Sequence, residues 1–134
     1  MGIALITITH NRIGAEILHT ATQIFGEPPI ASRHFAVHAG IEPAELSAGL
    51  AEVVDEVDSG DGVLLLTDLF GSTPCNVAHA HDAPHQVRVV TGLNLPMVLR
   101  IYNYAHLDLA AIAETAANGG QRGILARPAR PGPA

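Results

Sequence analysis

Cysteine is almost absent from this chain: Cys75 is the single one in 134 residues, which excludes an intrachain disulfide framework and a Cys-rich zinc site. A reducing cytoplasm is the expected setting. Basic charge is also scarce. With 7 Lys and Arg against 13 Asp and Glu the formal net charge is -6, which argues against nucleic-acid binding, because phosphate contacts need a basic surface. A small substrate or a basic protein partner is easier to accommodate. No apolar run approaches the ~20 residues that span a bilayer, and the first residues lack the basic region, long apolar segment and cleavage site of a signal peptide. The chain is therefore expected not to be membrane-embedded. Internal repeats, the lysine of a Walker loop and a G-x-G-x-x-G after a strand are all missing, so bound ATP or NAD is not expected.

What is present suits one domain with a real core, since 48% of the residues are hydrophobic. Ile3 to Thr9 is apolar on both faces and predicts a strand buried in a parallel sheet. Asn11 is expected to cap a helix whose stripe is Ile13, Ile17, Leu18, Ala21, Ile24 and Phe25, ended by Gly26, Pro28 and Pro29. Ser32 to Val37 predicts a short second strand. A second helix opens near Pro43 and buries Leu46, Leu50, Val53, Val54 and Val57, with Glu45, Glu52, Asp55 and Glu56 on a solvated face. "GVLLLTD" predicts a fully buried third strand ending on Asp68. A short helix from Pro74 to about Ala80, a fourth strand "QVRVVTG", and helices from Pro96 to about Tyr104 and from Leu107 to Ala117 complete the pattern. Asn118, Gly119 and Gly120 are expected to stop the last helix. "RGILA" predicts one further edge strand, and the Pro-rich tail 127–134 is expected to be disordered beyond a domain of residues 1–126. Strands alternating with helices imply an α/β fold, an open doubly wound, mostly parallel sheet of about five strands with helices on both faces.

Such sheets bind ligands beyond the carboxyl ends of their strands, so polar residues there become candidates. His10 follows strand one, Asp68 and "FGSTPCN" follow strand three, and "TGLNLP" follows strand four. If strands one and three are neighbours, about 4.8 Å apart, His10 and Asp68 come within hydrogen-bonding reach. A carboxylate on one imidazole nitrogen fixes the tautomer and leaves the other as a nucleophile. A structural histidine and a turn-forming aspartate are the plainer alternative. In "GSTP", Gly71 lets backbone amides approach a ligand, Ser72 and Thr73 offer hydroxyls, and Pro74 starts a helix whose N-terminus attracts anions, which together suggest a phosphate cradle. "HAHDAPH" gathers His79, His81, Asp82 and His85, but at no zinc-site spacing, so a solvated polar loop is the default and no metal is expected. Cys75 reads as a packing residue.

At these residues the sequence resembles the mannose-type enzyme IIA proteins of the bacterial phosphoenolpyruvate:sugar phosphotransferase system (PTS). "ITITHNRIGAEIL" looks like that family's strand, active-site histidine and first helix; "VLLLTDLFGSTPCNVA" looks like its Asp-bearing strand end and phosphate loop; "VVTGLNLPMVL" looks like its G-x-N-x-P-M segment. The resemblance implies a phosphohistidine carrier that takes a phosphoryl group from the carrier protein HPr onto His10 and passes it to a IIB component in sugar uptake. It implies Asp68 as the residue orienting the ring, and Gly71, Ser72 and Thr73 as phosphate-binding, with Ser72 standing where a second glycine is often found. Phe70, Asn94 and Pro96 would form a site wall or partner surface. It further implies no cofactor, and a homodimer that exchanges its last strand, here "RGILA". Two other readings stay open: a regulatory IIA protein without a transport role, and a non-covalent flavodoxin-like module for a phosphate-bearing ligand.

Overall fold

The computed structural model describes residues 2–79 and 85–129. Among the described residues nine elements follow one another: β1 (Ala4–His10), α1 (Ile13–Phe25), β2 (Ser32–Val37), α2 (Pro43–Val57), β3 (Val63–Thr67), α3 (Thr73–His79), β4 (Val87–Thr91), α4 (Leu95–Asn103) and α5 (Leu109–Arg122). The four strands are all parallel, in the order β2-β1-β3-β4. From β1 the chain steps to β2 on one side, then crosses back to β3 on the other. The crevice where strand order reverses therefore opens between the carboxyl ends of β1 and β3.

Because side chains alternate along a strand, β1 and β3 feed two separate cores. Leu5, Leu64 and Leu66 face α1, α4 and α5, meeting Ala21, Val98, Ile101 and Ile112. Ala4, Ile6, Ile8, Val63 and Leu65 face α2 and α3, meeting Leu46, Leu50, Val54 and Val77. Helices thus cover both faces, as the apolar runs imply. Each of the fully buried Leu and Ile side chains contributes roughly 1.5–3 kcal/mol of burial, and the central strands β1 and β3 carry most of them.

Several local expectations need correction. Asn11 does not cap α1. The N-cap residue is Arg12, without a side-chain bond, and the N-terminus is held instead by Thr9, whose Oγ1 accepts the Gly14 N–H at 2.9 Å. Ile13, Ile24 and Phe25 of the α1 stripe are exposed. Their spacing is helical, but α1 turns Gly14 onto Thr7 and His34 and Ala21 into the core, with Ile17 and Leu18 partly buried against it, and these three fall outside that contact.

Gly119 and Gly120 do not end α5, which runs through both to Arg122. A Cβ on Gly119 would lie 2.6 Å from the Arg100 side chain, and one on Gly120 would lie 2.8 Å from Met97 Cε. These glycines are where α5 presses against α4, so close packing replaces helix termination as the reason for them.

The described residues form four strands rather than about five. "RGILA" begins in the last turn of α5 and continues as irregular chain, with Ile124 and Leu125 exposed. A strand needs another strand to pair with, and among the described residues this segment pairs with none. His81, Asp82 and the Ala80 end of α3 lie outside the described residues, as do residues 130–134 of the Pro-rich tail. His85 is not a solvated loop residue: its ring bonds Asp58 at 2.6 Å and Asp55 at 2.5 Å, which ties the start of β4 to the end of α2. Asp55 accordingly leaves the purely solvated face.

Candidate functional site

β1 extends one residue further than its apolar run, so His10 is the last strand residue and its backbone is held by the sheet. β3 stops at Thr67, and the register pairing Ile8 with Thr67 sets the next residue, Asp68, beside the end of β1. The pairing condition for the two candidates is thereby met. Asp68 Oδ2 accepts two hydrogen bonds from His10, one from the backbone N–H at 3.1 Å and one from ring Nδ1 at 2.8 Å. A carboxylate only accepts, so in the neutral ring the proton sits on Nδ1 and the Nε2 lone pair is free. Asp68 is nearly buried while the His10 side chain is 43% exposed, so a shielded carboxylate lies under an accessible imidazole.

Behind this pair lie two buried polar atoms without a protein partner among the described residues, Asp68 Oδ1 and Thr67 Oγ1. An unpaired buried acceptor costs about 1–3 kcal/mol. Both fall at the switch point, beside the candidate nucleophile.

The chain leaves His10 through Asn11 in the left-handed region, at φ 48°. Asn tolerates that conformation better than most side chains. The end of β2 holds it there. Its N–H donates to the Val37 carbonyl at 3.1 Å, its carbonyl lies 2.9 Å from His34 Nε2, and its Oδ1 lies 3.2 Å from His38 Nδ1. His34 Nδ1 in turn lies 2.8 Å from Thr7 Oγ1. Burial pushes the His34 pKa below its ordinary value, with the Arg12 charge acting in the same direction, against the hydrogen bonds and the Asp68 charge that favour the proton.

Gly71 has φ 79°, so its turn requires a residue without a side chain, and no atom would meet a Cβ there; the loop is open toward solvent. Ser72 serves the turn itself, its hydroxyl donating to the Leu69 carbonyl at 2.6 Å and accepting weakly from Cys75 N–H at 3.5 Å. Thr73 faces a cavity of about 350 Å³ that it shares with His10, Asn11, His38, Ile41 and Pro43. Leu69 and Phe70, 60% and 76% exposed, form an apolar tip just past Asp68.

Of the residues singled out in the sequence, His10, Asp68 and Thr73 gather in one place. Asn94 and Pro96 do not line that cavity. Asn94 Oδ1 accepts the Met97 N–H at 2.9 Å as the α4 cap, and its Nδ2 donates to the Gly120 carbonyl at 3.0 Å. Pro96 abuts Gly123, where an added Cβ would lie 2.4 Å from its ring. Cys75 is buried, as its packing role requires. The sequence reading missed His34, His38 and Leu69. The two histidines stand four apart around the end of β2, but only the strand order brings them against Asn11.

Fold and site together define an open parallel α/β protein that presents a carboxylate-oriented histidine at its switch point. The chain belongs to the EIIA-man family, described as PTS system fructose IIA component, whose pattern matches residues 4–118. It classes accordingly as an EIIA phosphotransferase component of the PTS. The mannose/sorbose specific IIA subunit of the phosphotransferase system from Enterococcus faecalis superposes with a TM-score of 0.82 at 30% identity, over 98% of both chains. The mannose-specific EIIAB component of the PTS in Escherichia coli (strain K12) is 28% identical over 148 residues, covering 100% of this chain and 44% of that protein. The transcriptional regulatory protein LevR of Bacillus subtilis (strain 168) is 26% identical over 117 residues, covering 84% of this chain and 12% of that protein. The chain thus spans less than half the length of these curated relatives. Among the described residues no helix is long and apolar enough to cross a membrane.

Proposed function

We propose that His10 is a phosphoryl carrier, accepting the group from phospho-HPr on Nε2 and passing it to a IIB component in sugar uptake. The observation that carries the reading is the pair of hydrogen bonds that Asp68 Oδ2 accepts from the backbone and ring of His10, which in the neutral ring leaves Nε2 unprotonated. In the forward step the Nε2 lone pair attacks phosphorus, a new N–P bond forms, and the donor's N–P bond breaks with its electron pair returning to the donor imidazole. The Nδ1 proton stays on His10, and the Asp68 carboxylate offsets the positive charge that the ring acquires. The Thr73 hydroxyl and the amides of the Gly71–Thr73 turn are the donors for the transferring oxygens. Ser72 joins them only through its amide unless its hydroxyl leaves the Leu69 carbonyl. The step calls on no metal or nucleotide.

Phe70, with Leu69, suits a partner surface, because apolar side chains this exposed beside a nucleophile are covered at low cost when a carrier docks. Asn94 and Pro96 would act on that surface through the α4–α5 end they brace. The net charge of -6 suits a basic face on the donor. The family resemblance also supports a homodimer, with residues 122–126 pairing against the free edge of β4 in a second copy.

The likeness to LevR favours a second reading, in which the same phosphorylation reports to a regulator instead of feeding transport. Mass spectrometry after incubation with phosphoenolpyruvate, enzyme I and HPr tests the shared step. An acid-labile adduct of about 80 Da that disappears in His10→Ala is expected. No adduct sinks the carrier reading, and an adduct that survives His10→Ala moves the site elsewhere. Onward transfer from the labelled protein to a purified IIB component separates transport from reporting.

A further inference from the structure

We propose that the end of β2 is a clamp for the phosphoacceptor, in which His34 is a positioning residue that fixes Asn11 and thereby the orientation of His10 against Asp68. The inference rests on the reading of His10 as the phosphoacceptor and extends it to a residue that touches neither the donor nor the phosphoryl group.

Three contacts converge on Asn11, and all come from one short segment: the Val37 carbonyl on its N–H, His34 Nε2 on its carbonyl, and His38 Nδ1 at its side chain. Asn11 needs them, because its φ of 48° is one that a non-glycine residue does not hold by preference. Asp68 secures His10 from the β3 side, through the backbone N–H and the ring. The clamp secures it from the β2 side, one residue further on. With both in place the ring is fixed between two neighbouring strands.

The chemistry of His34 suits this task in one tautomer. The Asn11 carbonyl can only accept, so Nε2 carries the proton; Nδ1 then accepts from the Thr7 hydroxyl, whose side chain is fully buried. A neutral imidazole supplies both bonds at once. His34 is further wedged under α1, for a Cβ on Gly14 would lie 2.5 Å from Thr7 Oγ1 and 2.7 Å from His34 Nδ1. Strand, turn and helix start therefore share one side chain. Displacement of a reacting group by about 1 Å can cost 100-fold in rate, so a loosened turn should register in transfer.

The test uses the full chain with His34→Phe, which removes both bonds, and His34→Gln, which keeps an amide donor near the position of Nε2. Two readouts are followed: the rate of His10 phosphorylation by phospho-HPr, and the nitrogen-15 signals of the imidazole rings, which need no phosphoryl donor. His34→Phe is expected to slow phosphorylation roughly 10- to 100-fold and to turn the His10 ring from one Nδ1-protonated tautomer into a mixture. His34→Gln is expected to restore the tautomer and most of the rate. Placing Asn11→Gly beside His34→Phe should recover part of the loss, since glycine holds the left-handed turn unaided. Unchanged His10 signals and rate in a folded His34→Phe protein would overturn the clamp, as would equal losses with Asn or Gly at position 11. In the unmodified protein, His34 itself should show a protonated Nε2 and a bare Nδ1; the opposite tautomer overturns the proposal whichever variants fold. Failure of the unmodified protein to accept phosphate from phospho-HPr would count against the carrier reading alone, because the ring signals report the clamp independently.

Discussion

At the scale of single residues, the site depends on one carboxylate oxygen. Asp68 Oδ2 takes both the backbone N–H and the ring Nδ1–H of His10, so a single group sets position and tautomer together. Asn at position 68 keeps the volume, and its amide oxygen can take both bonds in place of Oδ2. As a weaker, uncharged acceptor it holds the ring less firmly and no longer offsets the charge the ring acquires on phosphorylation. Asp68→Asn is expected to slow phosphorylation of His10 up to roughly 100-fold, with the fold intact because both bonds to His10 can be kept. A quenched time course with phospho-HPr measures the rate; equal rates would contradict the orienting role. The Ser72 hydroxyl shows the converse. Its chemistry suits phosphate, yet the closest acceptor is the carbonyl of its own turn.

Between elements, the joints matter more than the spans. The end of α2 and the start of β4 are joined by His85, whose protonated ring donates to Asp55 and Asp58 from its two nitrogens. Those hydrogen bonds, first from Asp58 and then from Asp55, raise the His85 pKa above its ordinary 6.5. At Asp58, burial alone would raise the pKa, but the amides of Gly60 and Gly62 together with His85 outweigh it and bring the carboxyl below 3.8. The two shifts act at opposite ends of the pH scale. The raised histidine stabilises the fold fully below its ordinary value, and that contribution is lost as pH rises through its folded value. The lowered aspartate contributes above its ordinary value, and its share is lost as pH falls through its folded value. The thermal midpoint should therefore be highest between the two and decline on both sides, and His85→Ala should flatten the alkaline decline. A melting series across pH in which the alkaline decline is the same with and without His85 would refute this joint.

For the whole molecule, the open feature is the edge. Among the described residues β4 pairs only with β3, and the chain just past α5 carries Ile124 and Leu125 exposed, 74% and 70%. An unpaired strand edge is a liability that a second copy removes by supplying the missing strand. Light scattering is expected to give a dimer at micromolar concentration, and replacing both side chains with glutamate is expected to shift it toward monomer. A monomer at every concentration would count against strand exchange. At this scale the match to the E. faecalis subunit along 98% of both chains is also most informative, because it compares the same arrangement of elements and not isolated motifs.

Much of this arrangement can be read from residues alone, for local reasons. Two-faced apolar runs such as Val63 to Leu66 suit only strands covered on both sides, and the polar residues that end them, His10 and Asp68 among them, mark the edge where such sheets take ligands. Other features depend on neighbours that no local pattern names. Gly119 and Gly120 look like a helix stop until α4 is seen pressed against them, and Ile24 looks like core until its exposed position on α1 is seen. His34 looks like any polar residue on an edge strand; it reaches Asn11 only because β2 lies beside β1. The sequence by itself determined which residues could be strand, helix and nucleophile, since propensity and periodicity are properties of a segment. Only the tertiary structure decided which side chain meets which, because hydrogen bonds of 2.8 Å between residues 27 or 58 positions apart depend on strand order.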